Sequence, residues 1–131
     1  MAGFTDYLED KIMKHVFTNT SFTSPTTLYA ALYTVAPSDT GGGTEVSTSG
    51  TAYARQTMAF SVSGTGTLAT NSSAVEYPTA TADYGTVVAV GIFDASTSGN
   101  LLAYASLTAN KTVASGDVFR FNAGEVDITL T

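Results

Sequence analysis

Reactive side chains are few in this 131-residue chain, and their types limit the chemistry it could do. Two carboxylate pairs come closest to a catalytic arrangement. Glu125 and Asp127 point to one face of a strand, and Glu76 and Asp83 bracket a loop. A glycoside hydrolase needs two such groups at a defined separation, which makes these pairs the enzyme candidates. The competing assignment for Glu125 and Asp127 is a solvated strand edge that discourages sheet-to-sheet aggregation. His15 is the only histidine. A triad would also need a positioned nucleophile and an orienting acid, and no Gly-x-Ser-x-Gly segment is present. One histidine and no cysteine exclude the usual zinc ligand sets, thiolate nucleophiles and disulfides. Asp39, Asp94 and Asp117 lie in turns, where a carboxylate bonds nearby backbone N–H groups. No Asp-x-Asp-x-Asp spacing supports calcium in their place. Gly41-Gly42-Gly43 lacks the Gly-Lys-Ser/Thr of a phosphate loop and reads as a flexible stretch. The expectation is a chain with no catalytic residues, no cofactor and no metal site.

Composition narrows the partners. Eleven acids against five Lys and Arg give a net charge of −6 at pH 7. That charge repels a phosphate backbone and an anionic membrane surface, so neither nucleic acid nor membrane is an expected partner. No apolar stretch approaches the ~20 residues needed to cross a bilayer. The N-terminus has no basic region followed by an apolar run, so no secretory signal is expected. Polarity comes instead from 23 Thr and 13 Ser. Hydroxyls favour strands and turns without adding charge, which suits an all-β surface that meets other proteins. Asn19-Thr20-Ser21, Asn71-Ser72-Ser73 and Asn110-Lys111-Thr112 match the glycosylation pattern, which arises by chance in such a chain. Tyr53, Tyr77 and Tyr84 flank loops or polar positions. They are candidates for an interface, where tyrosine is enriched, or for a sugar-stacking surface.

The elements that must carry these residues are mostly strands. Residues 86–93 form a nearly unbroken apolar run rich in β-branched side chains, the pattern of a strand covered on both faces. Asp94 ends it, and Gly99 or Asn100 can take the positive φ of a turn. Residues 101–107 are the return arm of this central hairpin. Residues 28–35 alternate with apolar groups on both faces and predict a second inner strand. Residues 53–62 predict one alternating strand, with Ala54, Met58, Phe60 and Val62 on one face together with Gln56. Residues 75–77 and 112–113 predict short strands, with residues 108–111 as a turn between the hairpin and the latter. Residues 118–122 and 126–130 predict a last hairpin, with Val126, Ile128 and Leu130 inward. The count is about seven to eight antiparallel strands in a β-sandwich, with residues 1–131 as one domain.

Two segments stand apart. Residues 5–17 predict the one helix, with Asp6 as cap and Glu9 completing a capping-box-like pair. Leu8, Ile12 and Val16 form its apolar stripe, with His15 beside it. So short a helix must pack on something, either its own sheet or a neighbouring subunit. Residues 38–51 predict a Gly-rich excursion, long enough for a compact domain to use it functionally.

Three segments carry a resemblance when taken together. They are residues 28–39 (Leu28 through Pro37-Ser38-Asp39) with the glycines that follow, residues 78–85 (Pro78 through Asp83-Tyr84-Gly85), and residues 91–102 (Gly91-Ile92-Phe93-Asp94 through Gly99-Asn100-Leu101-Leu102). In that order they resemble a family of small tailed-phage virion proteins, often labelled tail-fibre-like. Similar small β proteins serve as capsid decoration (cement) proteins. The resemblance implies a structural role in the virion and supplies no catalytic residues. The resulting expectation is a non-enzymatic homo-oligomer, a trimer, assembled in the host cytoplasm. It would sit on the capsid surface and clamp the major capsid protein or other virion proteins. The alternative is a tail-fibre or tail-tip component involved in host attachment. Expected contact residues are Leu8, Ile12, His15 and Val16 on the helix, Gly41, Gly42 and Gly43 in the excursion, and Tyr53.

Overall fold

The computed structural model describes residues 3–129. In chain order the elements are β1 (Gly3–Phe4), α1 (Asp6–Phe17), β2 (Tyr29–Val35), β3 (Thr44–Glu45), β4 (Gln56–Thr57) and β5 (Phe60–Val62). They continue with β6 (Leu68–Asn71), β7 (Val75–Glu76), β8 (Gly85–Phe93), β9 (Leu101–Val113), β10 (Arg120–Phe121) and β11 (Asp127–Thr129). The protein is all-β with one short N-terminal helix.

The apolar run that dominates the sequence forms the centre of the main sheet. Its order is β1-β9-β8-β2-β3, with β4 also pairing β2, and every pairing is antiparallel. Gly91 of β8 lies opposite Ala31 on one side and Tyr104 on the other. Successive side chains point to opposite faces of a strand. Ala30, Leu32, Val90, Ile92 and Ala103 therefore join the main core on one face. Ala31, Tyr33, Ala89 and Phe93 form a smaller cluster on the other. Both faces of β8 are covered, as its composition requires.

The second layer consists of two small sheets. One is β5-β6-β11, the other β7-β10. They close over the inner face with Met58, Val75, Phe119, Phe121, Val126 and Ile128. Tyr77 joins the layers. It is fully buried, its hydroxyl donates to the Ala30 carbonyl at 2.8 Å, and Phe119 and Phe121 meet its ring edge-on. Asn71 anchors the end of β6 at 1% exposure. Its amide nitrogen donates to the Ser73 and Asn122 carbonyls, at 3.0 and 2.9 Å, and its oxygen accepts from the Val126 N–H at 2.8 Å. A side chain so enclosed offers no nitrogen to a glycan.

Several local expectations are corrected. Residues 53–62 are two short strands, β4 and β5, rather than one. Residues 108–111 are part of β9, which runs on past Leu107. Its register against β8 jumps there, Val87 facing Lys111 and Ala89 facing Ser106, so the polar residues bulge from the ladder where a turn was expected. β10 and β11 make no hairpin with each other; they pair with β7 and β6. Leu130 lies outside the described residues. The helix cap is Thr5 and not Asp6. Thr5 has the extended backbone of an N-cap, its hydroxyl accepts from the Leu8 N–H, and it donates to the Leu101 carbonyl at 2.6 Å.

Candidate assembly interface

α1 begins inside the fold and ends outside it. Leu8 and Ile12 are half-buried, with Tyr7 and Lys11 on the same flank. Beyond them, among the described residues, the side of the helix that carries Met13, Val16 and Phe17 is left open. Met13, Val16 and Phe17 are 57%, 62% and 74% exposed. The stripe expected from Leu8, Ile12 and Val16 thus divides, with two members against the body and the third facing out. Spacing of three and four residues places Met13, Val16 and Phe17 on one outward face. Asp6, Glu9 and Asp10 continue that face toward the helix start. His15 turns back toward the body, where its Nδ1 accepts from the Phe22 N–H at 3.1 Å.

The Gly-rich segment is more tied down than its composition suggests. β3 pairs with β2 inside it, and Val46 is buried with its N–H donating to the Leu32 carbonyl at 2.9 Å. Gly43 sits at φ +73°, and a Cβ there would lie 2.6 Å from the Val35 carbonyl oxygen. Gly41 and Gly42 have open space around them. The carbonyl of Asp39 accepts from the Asp6 N–H at 2.9 Å, and its carboxylate accepts from the Tyr104 hydroxyl. That carboxylate, with desolvation, holds the Tyr104 phenol above the usual tyrosine range. The helix start and the Gly41 turn therefore meet, flanking a groove of about 420 Å³ with Thr5, Asn100 and Leu101.

Tyr53 is not a surface residue. It is 3% exposed and packs on Tyr77 and Tyr84, both also buried. None of these three tyrosines is placed to stack on a sugar. The Tyr53 hydroxyl accepts from the Leu32 N–H at 3.0 Å and donates to Glu45 Oε2 at 2.6 Å. Arg55, which the sequence does not single out, completes the group. It pairs with both Glu45 oxygens, at 2.9 and 2.8 Å, and donates to the Ala95 and Ser98 carbonyls. Its guanidinium lies 3.6 Å from the Phe93 ring centre, the range of a strong cation–π contact. This group fastens β3, the segment before β4 and the turn after β8 to one another.

The carboxylates singled out as catalytic candidates each have a local partner or face solvent. Glu125 accepts from the backbone and side-chain amides of Asn122, Glu76 meets Arg120 at 3.4 Å, and Asp83 accepts from the Ser115 N–H. Asp94 and Asp117 bond turn N–H groups, of Asn100 and Ala114, as their positions predict. Glu125 and Asp127 do share a larger groove, of about 620 Å³. It opens where β9 leaves the ladder, with Val90, Leu107, Phe119 and Val126 in its floor and Lys111 and Arg120 also on its rim.

The family model of the podophage GP4 fiber I protein gp80 matches residues 3–129. The chain belongs to that family. The gp80 fibre family is a tailed-phage virion structural family, which agrees with the resemblance seen in residues 28–39, 78–85 and 91–102. Membership places this fibre-type protein in the virion. The family description names a fibre and gives no support to the capsid-surface position, so the tail-fibre alternative is the better backed. No curated protein matches the chain.

Proposed function

We propose that this chain is a building subunit of a podophage tail fibre and that it works by assembly, without catalytic turnover. Membership of the gp80 fibre family across residues 3–129 carries the reading. The exposed apolar end of α1 supports it, because large apolar groups clustered at a surface mark a contact site. The copies assemble with one another in the host cytoplasm, as a trimer, and join other virion proteins. Leu8 and Ile12 hold the helix to its own body while Val16 meets the neighbour. Gly41 and Gly42 are free to contribute beside the helix base, and Tyr53 acts only from within the core. Nucleic acid and membrane are not partners.

Gold-labelled antibody fragments against the chain, imaged on intact virions, test the position. Label on the tail appendages is expected, with few copies per particle in a stained gel. Label distributed over the capsid, at copy numbers near those of the capsid protein, would overturn the fibre assignment in favour of decoration.

A further inference from the structure

We propose that the outward face of α1 seats in the groove between β9 and β10–β11 of a second copy, a head-to-tail contact. The inference rests on the fibre-subunit reading and names its partner surface. Two features of one chain are unmatched within it. The first is a protrusion: Met13, Val16 and Phe17 stand clear of the body, because Leu8 and Ile12 on the opposite flank hold the helix to its own sheet. The helix cannot turn this face into its own groove without giving up those contacts. The second is a concavity of about 620 Å³ with an apolar floor and a charged rim. An amphipathic helix laid in an apolar groove is a recurrent mode of protein recognition.

Charge favours this occupant. The exposed face of α1 carries Asp6, Glu9 and Asp10 ahead of its apolar end. The rim of the groove carries Lys111 and Arg120, two of the five cations in the chain, with Arg120 also meeting Glu76 at 3.4 Å on the exposed side. Seating the apolar end on the floor brings the acids toward those cations. Glu125 and Asp127 share that rim, and on the helix Lys14 already pairs with Asp10 at 3.0 Å, so Asp6 and Glu9 are the acids left for the cations. Helix and groove are different surfaces, so the contact is heterologous and closes into a ring when its rotation permits. A trimer needs three such contacts, each using one helix and one groove.

Complementation tests it. Val16→Asp with Phe17→Asp removes the protrusion and Ala109→Trp fills the groove; all three positions are exposed, and circular dichroism confirms each fold. By light scattering the wild type is expected to be oligomeric and each variant alone monomeric. Mixing the two variants leaves one intact helix and one intact groove, so a one-to-one heterodimer is expected. A groove variant that still oligomerises while the helix variant does not would overturn the inference in favour of helix pairing with helix. Oligomers that persist in both variants, or a wild type monomeric at all concentrations, would also overturn it. None of these outcomes moves the antibody label on the virion, so the fibre assignment stands or falls separately.

Discussion

Removing the Arg55 guanidinium leaves Glu45 with the neutral Tyr53 hydroxyl, at a site where the Arg55 and Glu45 side chains are only 8% and 26% exposed. Breaking a buried pair from one side costs about 3 kcal/mol. Arg55→Ala is expected to lower urea-unfolding stability by that order. Arg55→Met combined with Glu45→Met is expected to lose less, since no charge is stranded. Asn71→Ala strands the Val126 N–H and two carbonyls, and about 2–3 kcal/mol should be lost in the same measurement. These two residues show what the sequence conceals. Asp94 and Asp117 act on backbone a few positions away, so their turn roles are legible from their neighbours alone. Glu45 and Arg55 are ten positions apart in polar surroundings, and Asn71 reaches Asn122 across the fold. Such pairings exist only once the sheets have formed, and no local spacing announces them.

Gly43 illustrates the same divide among the elements. Of three adjacent glycines only Gly43 stands where an added Cβ would strike other backbone. Gly43→Ala combines a positive φ with a collision and should destabilise by about 2–3 kcal/mol, against about 1 kcal/mol for Gly42→Ala. Thermal denaturation of the two variants checks the order, and equal shifts would refute it. The long elements were legible: β2, β8, the first arm of β9 and α1 carry runs or periodicities that one segment specifies by itself. Of the two-residue strands, β7 falls in the predicted strand at 75–77, while β4 and β10 are only the paired fractions of longer predicted strands, because their partners decide which residues pair. The hairpin expected from residues 118–122 and 126–130 does not form for the same reason. Phe121 and Ile128 look like members of one hairpin in sequence, but they pair with β7 and β6 in different sheets, while Val118 stays 47% exposed outside the strands. The bulge of β9 is not legible in the sequence, because Thr108, Asn110 and Lys111 are also what a turn would contain. The contact site was half legible: spacing found the helix, but not which side of it the body would cover.

The whole molecule is held by tyrosines that burial keeps protonated. Desolvation, with the Glu45 charge adding, pushes the Tyr33 phenol up to about 12, and Tyr53 and Tyr77 are raised further, desolvation again leading. Between an unfolded value near 10 and the raised folded values, the folded state holds protons that the unfolded state has released. Stability is therefore fully present below pH ~10 and falls as pH rises beyond it, by about 1.4 kcal/mol per unit for each such phenol. Urea unfolding at pH 8, 9.5 and 10.5 should show a plateau followed by a fall. Tyr33→Phe should make that fall shallower, and an unchanged slope would remove Tyr33 from the account. The division of the second layer into β5-β6-β11 and β7-β10 has its own outcome. Among the described residues neither piece has a strand ladder linking it to the other, and each rests on side-chain anchors such as Asn71 and Tyr77. Amide hydrogen exchange should therefore resolve three tiers of protection. β2, β8 and β9 would exchange only on global unfolding, while the two lesser sheets lift away separately and sooner. A subunit so constructed could yield part of its cover under load while its central ribbon stayed intact.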